Sequence, residues 1–274
     1  MRKVLTAAAG YYIRSRLADF SVAGGKDSSR VLAAPIMYNS IMLNFHIEKI
    51  KDGVFLVSEL FYREHANIYI VVDGASCLVI DPGLGLLDLR KFLKQLGFRK
   101  FIVSATHAHY DHIGGLSHFL KKEICLPSSV FINLHEKKLH GLHFLTEEDF
   151  NEEARVVFKE KIKLYDLQAS TDIQPHVKRE LCIGPHIFEI IKTPGHTDDS
   201  VVFYDRQNHI LITGDTLYDG KLYLDFPNSD LDEYKKSLSL INQLDLDLVL
   251  PGHNQVLSGI KAKAIIKKIS CSFK

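Results

Sequence analysis

Three histidines and an aspartate fall within six residues of "THAHYDHIGG" (106–115), a stretch that follows an apolar run and ends in two glycines. Packed this densely, His107, His109, Asp111 and His112 repel one another or titrate awkwardly unless something positive sits between them. Imidazole nitrogens and carboxylate oxygens are the donors that borderline divalent metals accept, so the stretch points to a metal. Three further stretches share its grammar: "IIKTPGHT" with His196, "LITGDT" with Asp215 and "LVLPGHN" with His253. In each, an apolar run closes, small or turn residues follow, and one potential ligand stands there. Five histidines and two carboxylates are too many for one tetrahedral ion and fit two ions that share a bridge. His107 and His109 are two apart and project the same way from extended backbone, whereas Asp111 and His112 lie past the turn and face a second point. Asp215 is the natural bridging carboxylate.

The elements that position these residues read as strands interspersed with helices. Runs of β-branched and aromatic residues predict strands at 54–60, 67–74, 77–83, 101–106, 186–193, 200–205, 209–215 and 247–252. A helix is expected over 86–98, where Leu86, Leu89, Leu93 and Leu96 keep a helical period closed by Gly97. Others are expected at 116–122, 230–243 and 259–270. The stretch 126–183 is more polar and more helical, with Thr146 and Asp149 set as a capping box. This alternation implies an α/β domain with helices covering its sheets, in which strand ends meet along one edge. The division expected is an N-terminal extension, residues 1–42, and one domain over 43–274.

Composition narrows the class. A net charge of +1 does not suggest a dedicated nucleic-acid binder, which carries a basic excess. Cys77, Cys125, Cys182 and Cys271 form no CxxC pair, so neither a thiolate zinc site nor a disulfide framework is expected, and a reducing, cytoplasmic setting fits. No apolar run reaches the length of a spanning helix. Residues 1–40 carry Arg2, Lys3, Arg14, Arg16, Lys26 and Arg30 against Asp19 and Asp27, the composition of an organelle-targeting leader or a plain extension.

The order HxHxDH, then His196, Asp215 and His253, resembles the metallo-β-lactamase superfamily, and "VIDPG" (79–83) is similar to its aspartate motif at Asp81. The resemblance runs over about residues 45–258 and implies a four-layer αββα metallo-β-lactamase sandwich. It implies that His107, His109 and His196 hold one metal and Asp111, His112 and His253 the other, with Asp215 between them and Asp81 supporting the site from behind. Zinc is the metal expected, although nitrogen and oxygen donors suit iron or manganese as well. Asp215, where the β-lactamases of the superfamily carry Cys or Ser, argues against that activity. His109, where flavodiiron members have an acidic residue, argues against redox chemistry. The 38 positions from Asp215 to His253 leave no room for the domain that nucleic-acid-processing members insert there. The early end of the chain lowers a glyoxalase-II reading.

The flanks "ELFYREHANIYIV" (59–71), "VIDPGLGL" (79–86) and "GDTLYDGKL" (214–222) resemble acyl-coenzyme A thioesterases of that superfamily. The function implied is hydrolysis of acyl-CoA or a related small-molecule thioester by a metal-bridging hydroxide; a lactonase or a glyoxalase-II-like acylglutathione hydrolase is the alternative. Asp111 is expected to handle the proton and Tyr218 to donate to the developing oxyanion. Leu139, Leu142, Phe144, Leu145 and Phe150 are candidates for an acyl groove, while His135, His140 and His143 read as surface residues. The basic tail, with Ile260, Ala264 and Ile265 near one face, suits an amphipathic terminal helix with weak contact to coenzyme A phosphates or an anionic membrane surface.

Overall fold

Val54 and Leu56 alternate with Phe55 and Val57 along one strand, and all four are buried because that strand carries an apolar core on each face. The computed structural model describes residues 45–63, 65–136, 146–157 and 179–272; residues 1–42, residues 139–145 and the side chain of His135 lie outside them. A first sheet holds β1 (Phe45–Lys51), β2 (Val54–Glu59), β3 (Ile68–Asp73) and β4 (Ser76–Ile80), each antiparallel to the last. Helix α1 (Leu89–Gln95) then carries the chain over, so that β5 (Lys100–Ser104) lies parallel to β4. The short helices α2 (Tyr110–Ile113), α3 (Ser128–Glu136) and α4 (Glu152–Val157) come next. A second sheet contains β6 (Glu180–Ile183), β7 (His186–Lys192), β8 (Val201–Asp205) and β9 (Ile210–Gly214), again antiparallel. Helix α5 (Leu231–Asn242) returns the chain to β10 (Leu248–Pro251), parallel to β9, before β11 (Leu257–Ser258) and α6 (Gly259–Ser272) close it.

Three cores make this a four-layer stack. Leu78, Ile80, Phe203, Ile212 and Leu250 fill the space between the two sheets. Val79, Leu89, Leu93 and Val130 join the first sheet to its helices, and Leu211, Tyr234, Leu238, Ile266 and Ile269 join the second sheet to α5 and α6. The fold is the αββα sandwich expected. Strands buried on both faces read as near-continuous apolar runs rather than alternating ones.

Where the elements differ from expectation, the reason is local. The helix expected over 86–98 starts at Leu89 because the Asp88 carboxylate accepts the Lys91 N–H at 2.8 Å. The stretch 116–122 forms parts of two 3-10 turns, Gly114–His118 and Lys121–Glu123, instead of one helix. Thr146 and Asp149 do pair, Asp149 Oδ2 accepting both the Thr146 N–H at 2.8 Å and its hydroxyl at 2.9 Å, but the cap opens a single 3-10 turn. Phe150 packs on Tyr62, with ring centroids 5.1 Å apart, inside the outer core rather than along a groove. In α6 the inward face is Ala262, Ile266 and Ile269, with Ile265 half-buried against the same core, while Ile260 is 86% exposed and Ala264 is exposed.

Candidate metal centre

The two parallel pairs, β4–β5 and β9–β10, end on the same edge, and the site is built from the loops that leave them. Asp81 lies just after β4, His107 to His112 after β5, Asp215 after β9 and His253 after β10, with His196 on the loop after β7. The carboxyl ends of parallel strands are where α/β folds collect functional groups. Bonds between the sheets hold this edge together: Val201 N donates to Thr106 O at 2.9 Å and Asn67 N to Gly252 O at 2.6 Å. Tyr69 Oη donates to Pro251 O at 2.8 Å, and Asn67 Nδ2 to the carbonyls of Pro251 and Asn254, so the His253 loop is pinned from the opposite sheet.

All seven candidate ligands converge, in two groups: His107, His109, His196 and Asp215, then Asp111, His112 and His253, each group offering donor atoms within 4.8 Å of one another. In the first group His109 Nδ1 lies 3.0 Å from His107 Nε2 and 3.1 Å from His196 Nε2. In the second, Asp111 Oδ2 lies 3.7 Å from His112 Nε2 and 3.4 Å from His253 Nε2. Asp215 reaches both: Oδ2 is 3.5 Å from His196 Nε2 and 3.4 Å from His253 Nε2, and Oδ1 is 3.4 Å from His112 Nε2. Glycine makes that approach possible, since a Cβ on Gly252 would run into Asp215 Oδ1, and one on Gly214 (φ +48°) into Thr106 Oγ1.

The far ring nitrogens of His107, His112 and His196 are spoken for. His112 Nδ1 donates to Asp81 Oδ2 at 3.0 Å, and His196 Nδ1 donates to Tyr223 O at 2.8 Å. His107 Nδ1 lies 3.0 Å from Thr106 Oγ1, which itself donates to Asp81 Oδ2 at 2.9 Å, so the imidazole is the donor. Each of these bonds turns Nε2 and its lone pair toward the site, the usual support of a metal-binding imidazole. Asp81 holds a left-handed φ of 57° while accepting the Thr106 N–H at 2.7 Å. Asp199 Oδ2 takes the Ala108 N–H at 2.9 Å, between two candidate ligands, and burial pushes its carboxyl up to about 6.

Electrostatics tests the fit. Burial, aided by neighbouring imidazoles, holds His107 well below its ordinary pKa, and burial lowers His196, so both are neutral donors. Burial also opposes charge on His112 and His253, yet Asp111 and Asp215 outweigh it and raise both. Burial likewise opposes the Asp215 carboxylate, and His253 and His112 overcome it to hold Asp215 far below the usual range. The buried carboxylates thus demand positive charge, and His112 Nε2 and Asp215 Oδ1 face each other without a hydrogen bond. These residues fit divalent cations.

The fold and this centre define the class: the chain belongs to the metallo-beta-lactamase superfamily, whose sequence profile matches residues 62–253, and it is a metal-dependent hydrolase. It is similar to the acyl-coenzyme A thioesterase MBLAC2 of Gallus gallus, 28% identical over 224 residues that span 74% of this chain and 78% of that protein. It is equally similar to the probable metallo-hydrolase YqgX of Bacillus subtilis (strain 168), 28% identical over 197 residues, 71% of this chain and 84% of that one. Among solved structures, the metallo-beta-lactamase family protein TTHA1429 of Thermus thermophilus superposes with a TM-score of 0.60 at 18% identity, covering 82% of this chain and 80% of that one.

Tyr218 is buried beside His253, ring centroids 6.0 Å apart, and its hydroxyl donates to the Lys221 carbonyl. Its one O–H proton is therefore committed to the backbone, not aimed at a developing oxyanion. The sequence reading also passed over Thr106, Asp199, Asn67 and the carbonyl of Tyr223. The small polar residues flanking each motif were the available signal, but small polar residues are common at turns and carry little on their own. Among the described residues no helix is long and apolar enough to cross a membrane.

Proposed function

We propose that this chain is a dinuclear metal-dependent thioesterase that hydrolyses acyl-CoA or a closely related acyl thioester, its catalytic unit being residues 43–274 with residues 1–42 an extension. One observation carries the reading: seven donors divide into two groups with Asp215 within 3.5 Å of histidines from both. On this reading His107, His109 and His196 hold one ion, Asp111, His112 and His253 the other, and Asp215 both. Zinc is the metal proposed. When bound, such ions supply a water acidified toward neutral pH and polarise the acyl carbonyl.

The chain's own residues do the rest. Among the second group and Asp215, His253 is the most exposed, its side chain 19% accessible against 10% for Asp111 and 7% for Asp215, so substrate enters on that side. Asp111 Oδ2 takes the proton of the attacking water as oxygen bonds to the acyl carbon, and holds it within the site for the product side of the reaction. The C–S bond then breaks, and the thiolate leaves readily because its conjugate acid has a pKa of about 8.5. Tyr218 serves as a wall beside His253. The similarity to acyl-coenzyme A thioesterases supports the thioester as substrate, although it extends to hydrolases of other names.

The test is free-thiol release by metal-replete protein from a panel of acyl-CoAs and acylglutathiones, with small lactones beside them and chelator and His109→Ala as controls. Chelator-sensitive release from CoA thioesters is the result expected. Turnover of lactones or acylglutathiones with none of acyl-CoA would overturn it.

A further inference from the structure

Between β9 and α5 the chain crosses the His196 loop as a strap, residues 221–229, without helix or strand. It is fastened on both sides. Tyr223 O accepts from His196 Nδ1 at 2.8 Å, Ser229 Oγ donates to His196 O at 2.7 Å, and Asp230 N donates to Gly195 O at 2.9 Å. Inside the strap, Ser229 N donates to Phe226 O at 3.0 Å and closes a turn around Pro227 and Asn228. Asn228 Nδ2 adds a contact to Asp198 Oδ1 at 3.2 Å. Phe226 precedes a proline, which steers its backbone away from the helical region.

The outcome of this fastening is a particular ring position. The Phe226 ring centroid lies 4.6 Å from that of His109 and 5.5 Å from that of His196, while the residue stays half-buried. Such a ring offers no ligand atom. Its contribution is an apolar face beside two donor imidazoles, held by the same loop that holds one of them. We propose that Phe226 is the specificity-determining wall for the acyl group, the methylenes next to the scissile carbonyl lying against its ring. The wall rests on the thioester reading above, and it moves the acyl-binding surface from segment 126–183 to the strap.

Each methylene buried against an apolar face is worth roughly fourfold in affinity. Phe226→Ala therefore lowers kcat/KM for an octanoyl thioester by roughly 10- to 100-fold, while an acetyl thioester, too short to use the ring, changes less than about threefold. Phe226→Leu keeps most of the preference. A second readout is independent of turnover: the chain contains no tryptophan, so Phe226→Trp places a sole tryptophan at the wall, excited at the red edge where the 11 tyrosines do not absorb. Its emission is expected to shift with S-alkyl coenzyme A thioethers, progressively with alkyl length, and not with coenzyme A alone.

The experiment combines a chain-length series on metal-replete wild type, Phe226→Ala and Phe226→Leu with that titration, and metal content is measured in each variant. A flattened profile in Phe226→Ala at unchanged metal content, with a graded emission shift, supports the wall. Thioester turnover with an unaltered profile and no emission response overturns it and leaves the thioesterase standing. A graded emission response without any thioester turnover removes the thioesterase and, with it, the specificity role, leaving the ring only as an apolar contact. Loss of metal from Phe226→Ala shows the ring to be a support for the ligands and overturns the assignment.

Discussion

Asp81 and His112 form a buried pair, Oδ2 to Nδ1 at 3.0 Å, in which a carboxylate at the end of one strand decides which nitrogen of a candidate ligand imidazole faces the site. The same Oδ2 takes the Thr106 hydroxyl, which in turn lies against His107 Nδ1. One carboxylate therefore orients a donor of each metal group.

Asp81→Asn separates charge from backbone, because Asn tolerates the left-handed φ of 57° that Asp81 holds. An amide NH2 facing His112 Nδ1 forces the other tautomer and puts a proton on Nε2. Metal affinity is expected to fall about 10- to 100-fold. Equilibrium titration with zinc, with the far-ultraviolet spectrum unchanged, checks it; unaltered affinity would show that the pair only stabilises the fold.

Metal stoichiometry distinguishes the two groups. His196→Ala removes a donor from the first group and His253→Ala from the second, so on the two-ion proposal wild type is expected to hold two ions and each variant about one. Asp215→Asn touches both groups and is expected to bind less than either. Elemental analysis after dialysis reads the result, and equal loss in all three variants would mean one shared site.

Glu59 is buried at the end of β2, where its carboxylate accepts the N–H groups of Leu84 at 2.7 Å and Gly85 at 3.3 Å. Burial raises its pKa from 4.5 to about 7, partly offset by those two bonds and reinforced by the charge of Asp111. The folded state thus holds a proton that the unfolded state has released between these values. Stability from this group is fully present below pH 4.5 and is lost as the pH rises through about 7, by about 3 kcal/mol at most. Urea unfolding of wild type and Glu59→Gln at pH 5 and pH 8 is expected to show the steeper decline in wild type; parallel declines would place the proton elsewhere.

Tyr218→Phe is expected to lower kcat less than about threefold, because the hydroxyl is committed to the Lys221 carbonyl. A well-placed oxyanion donor is worth about 10²–10³, so a loss of that size in single-turnover kinetics would mean that the hydroxyl turns toward substrate.

Much of the fold was legible because buried strands announce themselves: "VFLVSE", "IYIVVD" and "ILITG" are apolar or β-branched along almost their whole length. Strand β1 was not, since "FHIEKIK" is a half-buried edge with a register break between Lys49 and Lys51. The helix α6 was placed correctly along the chain, but its inward face was not legible. A helix with isoleucines at 260, 265, 266 and 269 offers more than one apolar stripe, and only the sheet it packs on chooses between them. Glu59 gave no sign of its burial, because nothing local distinguishes it from a surface glutamate.

The sequence by itself determined the donor types, their order and their place at strand ends, because those depend on a few adjacent residues at each motif. It also determined the layered architecture, through the spacing of apolar runs. Only the tertiary structure decided that Asp215 reaches histidines of both groups, since that depends on β9 lying parallel to β10 and on Gly252 letting the two loops close. It alone decided which nitrogen His112 and His196 present, because Asp81 and the Tyr223 carbonyl are brought to those rings by strand pairing and loop docking rather than by proximity in the chain. Donor chemistry is local to the residue; coordination geometry belongs to the packing of the sheets.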